Sequence, residues 1–127
     1  MPYWPAWIMA AVAAGCAYPA ISNKPAAAER ELYQARGNEP GWSLTIHYGR
    51  IDYEDAYGDR KLSVVRPEPR PSFNGRRYVT PQLVVDVTYA RCNDAMSGKG
   101  YEHQVMVTAD GATVKGCGGE RRPQWDL

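Results

Sequence analysis

Alternation of apolar and polar residues, interrupted by turn chemistry every ~8–12 residues, is what most restricts the folds open to this chain. Trp42, Leu44, Ile46 and Tyr48 fall on one face of an extended segment, and Ser43, Thr45 and His47 on the other. Leu83, Val85, Val87 and Tyr89 alternate with Val84, Asp86, Thr88 and Ala90, and Val105 and Val107 alternate within 101–109. A period of two gives each segment one face to bury, as in a strand that lies half in water. Shorter pieces of the same kind are expected at 31–36, 51–54, 61–66, 78–80 and 112–116.

The breaks carry residues that turn a chain. Gly37-Asn38-Glu39-Pro40-Gly41, Gly49-Arg50, Tyr57-Gly58-Asp59 and Phe73-Asn74-Gly75-Arg76 separate the pieces, and Asp110-Gly111 is the strongest two-residue hairpin signal. Arg66-Pro67-Glu68-Pro69-Arg70-Pro71 reads as an extended loop, because Pro at every second position removes ladder donors. The expected class is all-β: a small antiparallel β-barrel or sandwich of about eight short strands. Nine Tyr and four Trp against one Phe suit such a sheet, where rings are buried and polar tips stay wet.

Ahead of the strands lies a different composition. Residues 6–15 are apolar and small, too short for a spanning helix, which needs ~20 apolar residues. They suit the apolar region of a signal peptide. Ala13-Ala14-Gly15-Cys16 resembles the cleavage box of bacterial lipoproteins, with Ala13 where such boxes carry Leu. Cys16 is then the lipidated residue and residues 1–15 the leader. Plain cleaved secretion, and a frayed tail with a buried cysteine, are the alternatives. Residues 16–30, with Pro and many Ala, read as a tether, 31–120 as the β-domain and 121–127 as a polar tail.

Three cysteines form an odd set, which one reading resolves: lipid on Cys16 and a disulfide between Cys92 and Cys117. Closing a loop of that length contributes roughly 3–4 kcal/mol in the chain-entropy model. Two buried free thiols are the alternative. No Cys-x-x-Cys occurs, and the Cys and His residues lack zinc spacing.

A formal net charge of +1, with Arg scattered through turns, gives no field to attract nucleic acid. No Gly-rich phosphate loop is present. His47 and His103 stand on separate strands without triad context, and Ser97 with His103 lacks a nucleophile elbow. Asp52, Glu54 and Asp55 read as a solvated strand edge. No catalytic residue, metal or cofactor is therefore expected. The binding candidates are two loops. Asn38, Glu39 and Trp42 offer a polar rim beside an aromatic, with Trp42 as a plain core residue the competing reading. Asn93, Asp94, Ser97, Lys99 and Tyr101 lie in or next to a loop pinned by Cys92, with Asx turns as the competing reading.

Gly-Asn-Glu-Pro-Gly-Trp-Ser (37–43), Tyr-Gly-Asp (57–59), Cys-Asn-Asp-Ala-Met-Ser (92–97) and Gly-Cys-Gly (116–118) resemble a family of small uncharacterised envelope proteins of Gram-negative bacteria. Its members are labelled as membrane proteins or lipoproteins, and relatives are sometimes joined to META domains. The resemblance spans 33–118. It implies an exported β-domain with a disulfide at the positions of Cys92 and Cys117, and no activity. Ser97-Gly98-Lys99-Gly100-Tyr101 also resembles the Ser-Gly-x-x-Tyr pattern of periplasmic c-type lysozyme inhibitors, where the loop enters the lysozyme cleft. The leading expectation is a periplasm-facing envelope lipoprotein, held on the inner or outer membrane by its lipid, that binds an envelope protein or peptide. A lysozyme inhibitor acting through Ser97–Tyr101 is the second.

Overall fold

In a computed structural model of the chain, the residues described are 27–38 and 40–127, with Tyr3 and Gly15. The rest of the expected leader, Cys16, the tether up to residue 26, and Glu39 lie outside them. Among the described residues no α-helix forms, and none is long and apolar enough to cross a membrane.

Ten strands form among the described residues: β1 (Glu31–Gly37), β2 (Trp42–His47), β3 (Arg50–Asp55), β4 (Arg60–Val65), β5 (Arg70–Ser72), β6 (Gly75–Val79), β7 (Leu83–Thr88), β8 (Cys92–Asn93), β9 (Gly100–Ala109) and β10 (Ala112–Arg121). All pair antiparallel in one sheet of order β4-β3-β2-β1-β10-β9-β7-β6-β5, with β8 added on β9. The chain is all-β, as the alternation implies.

Connectivity forces the sheet to curl. β4 and β5 are its two edges, yet only residues 66–69 join them. Five residue steps reach at most ~18 Å. Eight inter-strand steps at ~4.8 Å laid flat would need ~38 Å. The result is an open half-barrel whose inner face is the core. Leu44, Ile46, Ile51, Leu83, Val85, Val87 and Val107 are the largest fully buried side chains on it. Each contributes about 1.5–3 kcal/mol by leaving water. Trp42 packs there against Gly37 and Gly116, whose lack of a Cβ leaves room for the indole. Asp110 and Gly111, at φ 48° and 80°, make the two-residue turn between β9 and β10.

Four details depart from the sequence reading. Arg70–Ser72 is a strand although it contains Pro71, which pairs opposite Arg76. At the edge of the sheet its missing N–H deprives no further neighbour. β6 accordingly begins at Gly75, and the turn shrinks to Phe73 and Asn74. β7 stops at Thr88, leaving Tyr89 46% exposed. Finally, β2 ends at His47, so Tyr48 leaves the inner face and stands 57% exposed. His47 is buried instead, because residues 27–30 fold across it. Its Nδ1 lies 3.0 Å from the Glu29 carbonyl, and the Tyr48 and Gly49 N–H groups donate to Arg30 and Ala28.

Candidate functional site

Parity along β9 and β10 sorts two sets of side chains. Val105, Val107 and Val114 turn into the curl, as Gly116 and Gly118 do with their missing Cβ. Gln104, Met106, Lys115 and Cys117 belong to the opposite, outer face. The chain after β7 crosses that face, and the Cys92–Cys117 disulfide fastens it there with a Cα–Cα distance of 5.6 Å. Cys117 is 3% exposed although it points outward, because the crossing segment covers it.

Between this cover and the sheet lies an open cavity of about 340 Å³. Asn38, Asp94, Gln104, Met106, Lys115 and the disulfide border it. The two loops singled out by their sequences meet here. The Asn38 side-chain amide donates to Asp94 Oδ2 at 2.7 Å, across 56 residues.

Asp94 is the organiser of its own loop. Its Oδ1 accepts the N–H groups of Met96 and Ser97, at 3.0 and 2.9 Å, and the Ser97 hydroxyl at 3.1 Å. The Ser97 N–H chiefly, then those of Met96, the Ser97 hydroxyl and Asn38, hold the Asp94 carboxyl below its ordinary range against a partial burial that pushes it up. An Asx turn has thus spent this carboxylate on structure. Among the described residues the Lys115 ammonium makes no ion pair, so it is the charged group the cavity has to offer.

The other side of the loop is clamped by residues 122–127. Asn93 Nδ2 donates to the carbonyls of Trp125 at 2.7 Å and Gly98 at 3.2 Å. Asp126 Oδ1 accepts the Gly100 N–H at 2.8 Å, and Arg121 grips both Asp126 oxygens at 2.6 and 2.7 Å. Leu127 N–H donates to Gly98, and the Arg91 guanidinium lies 4.7 Å over the Trp125 ring.

Of the residues expected to bind, Asn38, Asn93 and Asp94 come together at the cavity with both bridging cysteines. Trp42 is 4% exposed inside the curl, where its indole N–H donates to the Lys115 carbonyl at 3.1 Å. Ser97 and Lys99 are exposed on the far side of the loop, and Tyr101 lies in β9 with Arg121 5.7 Å over its ring. Glu39 and Cys16 fall outside the described residues. Ser97 and His103 bond different partners: Ser97 holds Asp94, and His103 Nδ1 lies 3.0 Å from the Tyr33 hydroxyl. Among the described residues no group of three Cys, His, Asp or Glu converges as a metal site would require. Sequence reasoning passed over Gln104, Met106 and Lys115. Their signal was parity, since each lies opposite the inward valines on the face of Cys117. No family model matches this chain, and no curated protein and no solved structure matches it.

Proposed function

We propose that this chain is a non-enzymatic binding module of the bacterial envelope, exported and lipid-anchored through Cys16, whose ligand seat is the cavity beside the disulfide. The observation that carries the reading is the Asn38–Asp94 bond, which joins two loops distant in sequence over one open cavity. Loops fixed on a rigid β-scaffold are where such domains place recognition. The disulfide supports export, because oxidising compartments preserve such bridges and the cytosol does not. With Asp94 satisfied internally, the seat offers Lys115 as a cation, Asn38 and Gln104 as amides, and Met106 with the disulfide as an apolar wall. That set fits a peptide segment presenting a carboxylate or carbonyl next to an apolar side chain.

A photo-crosslinking residue at Ala95, which borders the cavity and leaves Lys115 in place, tests the seat in the native envelope. Capture of a defined partner is expected, with loss on Met106→Asp. Equal capture from the exposed Lys61 position would remove the seat. Membrane release of Cys16→Ser tests the anchor, and unchanged pelleting would remove that part.

The exposure of Ser97 and Lys99 on a loop held at both flanks favours lysozyme inhibition as the second reading. Undiminished c-type lysozyme activity at micromolar protein excludes it.

A further inference from the structure

Where β6 begins, β7 ends and β9 passes Gly118, the inner face of the half-barrel changes from apolar to polar. Along β6, parity puts Arg76 on the face of the buried Tyr78, and Arg77 on the other, where it pairs with Asp86. Arg76 Nε donates to the Tyr78 hydroxyl at 3.1 Å, and Nη1 to the Tyr89 hydroxyl at 3.2 Å. Its Cζ lies 4.9 Å over the Tyr33 ring and 5.6 Å over the Tyr89 ring. His103 completes the cluster, its ring 5.1 Å from that of Tyr89.

The acid nearest the cluster is Glu102, 3.6 Å from His103 Nε2, and it is engaged elsewhere: its other oxygen accepts from Arg122 at 3.0 Å. Among the described residues Arg76 pairs with no carboxylate; Arg36, Arg70 and Arg91 share that lack but are exposed to water, whereas Arg76 is half-buried on the face of Tyr78. Burial works against the Arg76 charge, but hydrogen bonds to Tyr89 and Tyr78 outweigh it, so the guanidinium stays protonated. Burial also pushes His103 down and Tyr33 up, which leaves both neutral at pH 7. One N–H of Nη1 and both of Nη2 meet no acceptor among the described residues.

We propose that this free edge of Arg76 seats the carboxylate of a small molecule with an apolar body. Two parallel N–H groups match the two oxygens of a carboxylate, a geometry that a lysine could not reproduce. The tyrosine hydroxyls fix the fork in place beforehand, so little ordering remains to be done on binding. The Tyr33 and Tyr89 rings give the apolar body something to rest on, and Tyr89, 46% exposed, marks the way in. This site is separate from the cavity beside the disulfide and stands whether or not that cavity binds.

The test is an NMR titration of the full, disulfide-intact chain with benzoate at constant ionic strength, with inorganic phosphate and chloride in parallel. Saturable shifts are expected at the Arg76 Nε–H, Tyr89 and His103, with benzoate contacts to the Tyr33 and Tyr89 rings. Arg76→Gln should weaken binding by ~10-fold or more, as loss of a charged hydrogen-bond donor does, and Lys61→Gln should not. If Arg76→Gln does not fold, Tyr89→Leu must weaken binding instead. Shifts that grow linearly with benzoate, match chloride, or survive the variant that folds overturn the proposal. Saturation by phosphate without saturation by benzoate overturns it equally.

Discussion

The two faces of β9 and β10 are held by different physics. On the inner face Val105 and Val107 join a core that is stabilised by the area it removes from water. On the outer face a cover of residues 92–100 and 122–127 is held by one disulfide and a few directed bonds, among them Asn93 to Trp125 and Arg121 to Asp126. Area-driven packing fails only when the whole sheet fails. A cover fixed by separate links can loosen while the sheet persists, and binding surfaces are drawn from such low-stability regions.

The comparison is sharpest under the largest perturbations. Leu44→Ala, at a fully buried position of β2, should cost about 3–5 kcal/mol and lower the denaturation midpoint of the whole domain. Replacing both Cys92 and Cys117 with Ala should cost ~3.5 kcal/mol, the chain-entropy value for a separation of 25 residues. The two losses are similar in size and should differ in place. By amide exchange, Leu44→Ala should raise opening everywhere. The double cysteine variant should add a further loss of protection confined to 92–100 and 122–127. Identical exchange patterns in the two variants would show that the faces form one cooperative unit.

This division also explains what could be read from the sequence. The inner face was legible because area needs only parity: Leu44, Ile46, Val85 and Val107 announce themselves by alternation. The curl was not, since it follows from which strands become edges and from the few residues joining β4 to β5. Asn38 and Asp94 each stood out as turn residues, but the bond between them spans 56 positions and depends on how the chain crosses β9 and β10. The clamp by Trp125 and Asp126 was hidden for the same reason. A polar stretch reads as a tail until something shows where its hydrogen bonds go.

Trp42 belongs to both regions, its ring in the core and its N–H on the Lys115 carbonyl beneath the cover. Trp42→Phe keeps an aromatic ring inside and removes that donor. It should cost about 1–3 kcal/mol, with the change in amide protection centred on 115–117. A loss spread evenly over β2 and β3 would mean that the indole acts by packing alone. Asn38→Ala is milder. Its bond to Asp94 is exposed, so stability should fall by less than ~1 kcal/mol, while capture of the partner from Ala95 drops. Unchanged capture would separate the Asn38 turn from the ligand seat.

The smallest effect separates the faces by acid. The Arg121 side chain foremost, then the Gly100 N–H, hold the Asp126 carboxyl at about 2, down from its ordinary 3.8. A carboxyl whose folded value is depressed contributes stability that is complete above its unfolded value and lost as pH falls through the folded one. The clamp should therefore be intact above 3.8 and open as the pH falls to about 2. Asp94, also held low, lies under the same cover, so the Asp126 share must be taken as the difference between wild type and Asp126→Asn. Trp125 emission, read with Trp4, Trp7 and Trp42 all replaced by Phe so that one indole remains, should show a step in that window that Asp126→Asn flattens. The amide signal from Val107 should pass through the same window without a step of its own, because no carboxylate bond holds its side chain. Ile46 is no such control, since Asp52, held low against its burial by Ser63 and Arg50, bonds the adjacent His47 at 3.0 Å. A matching step at Val107 would mean that acid opens the sheet and its cover together.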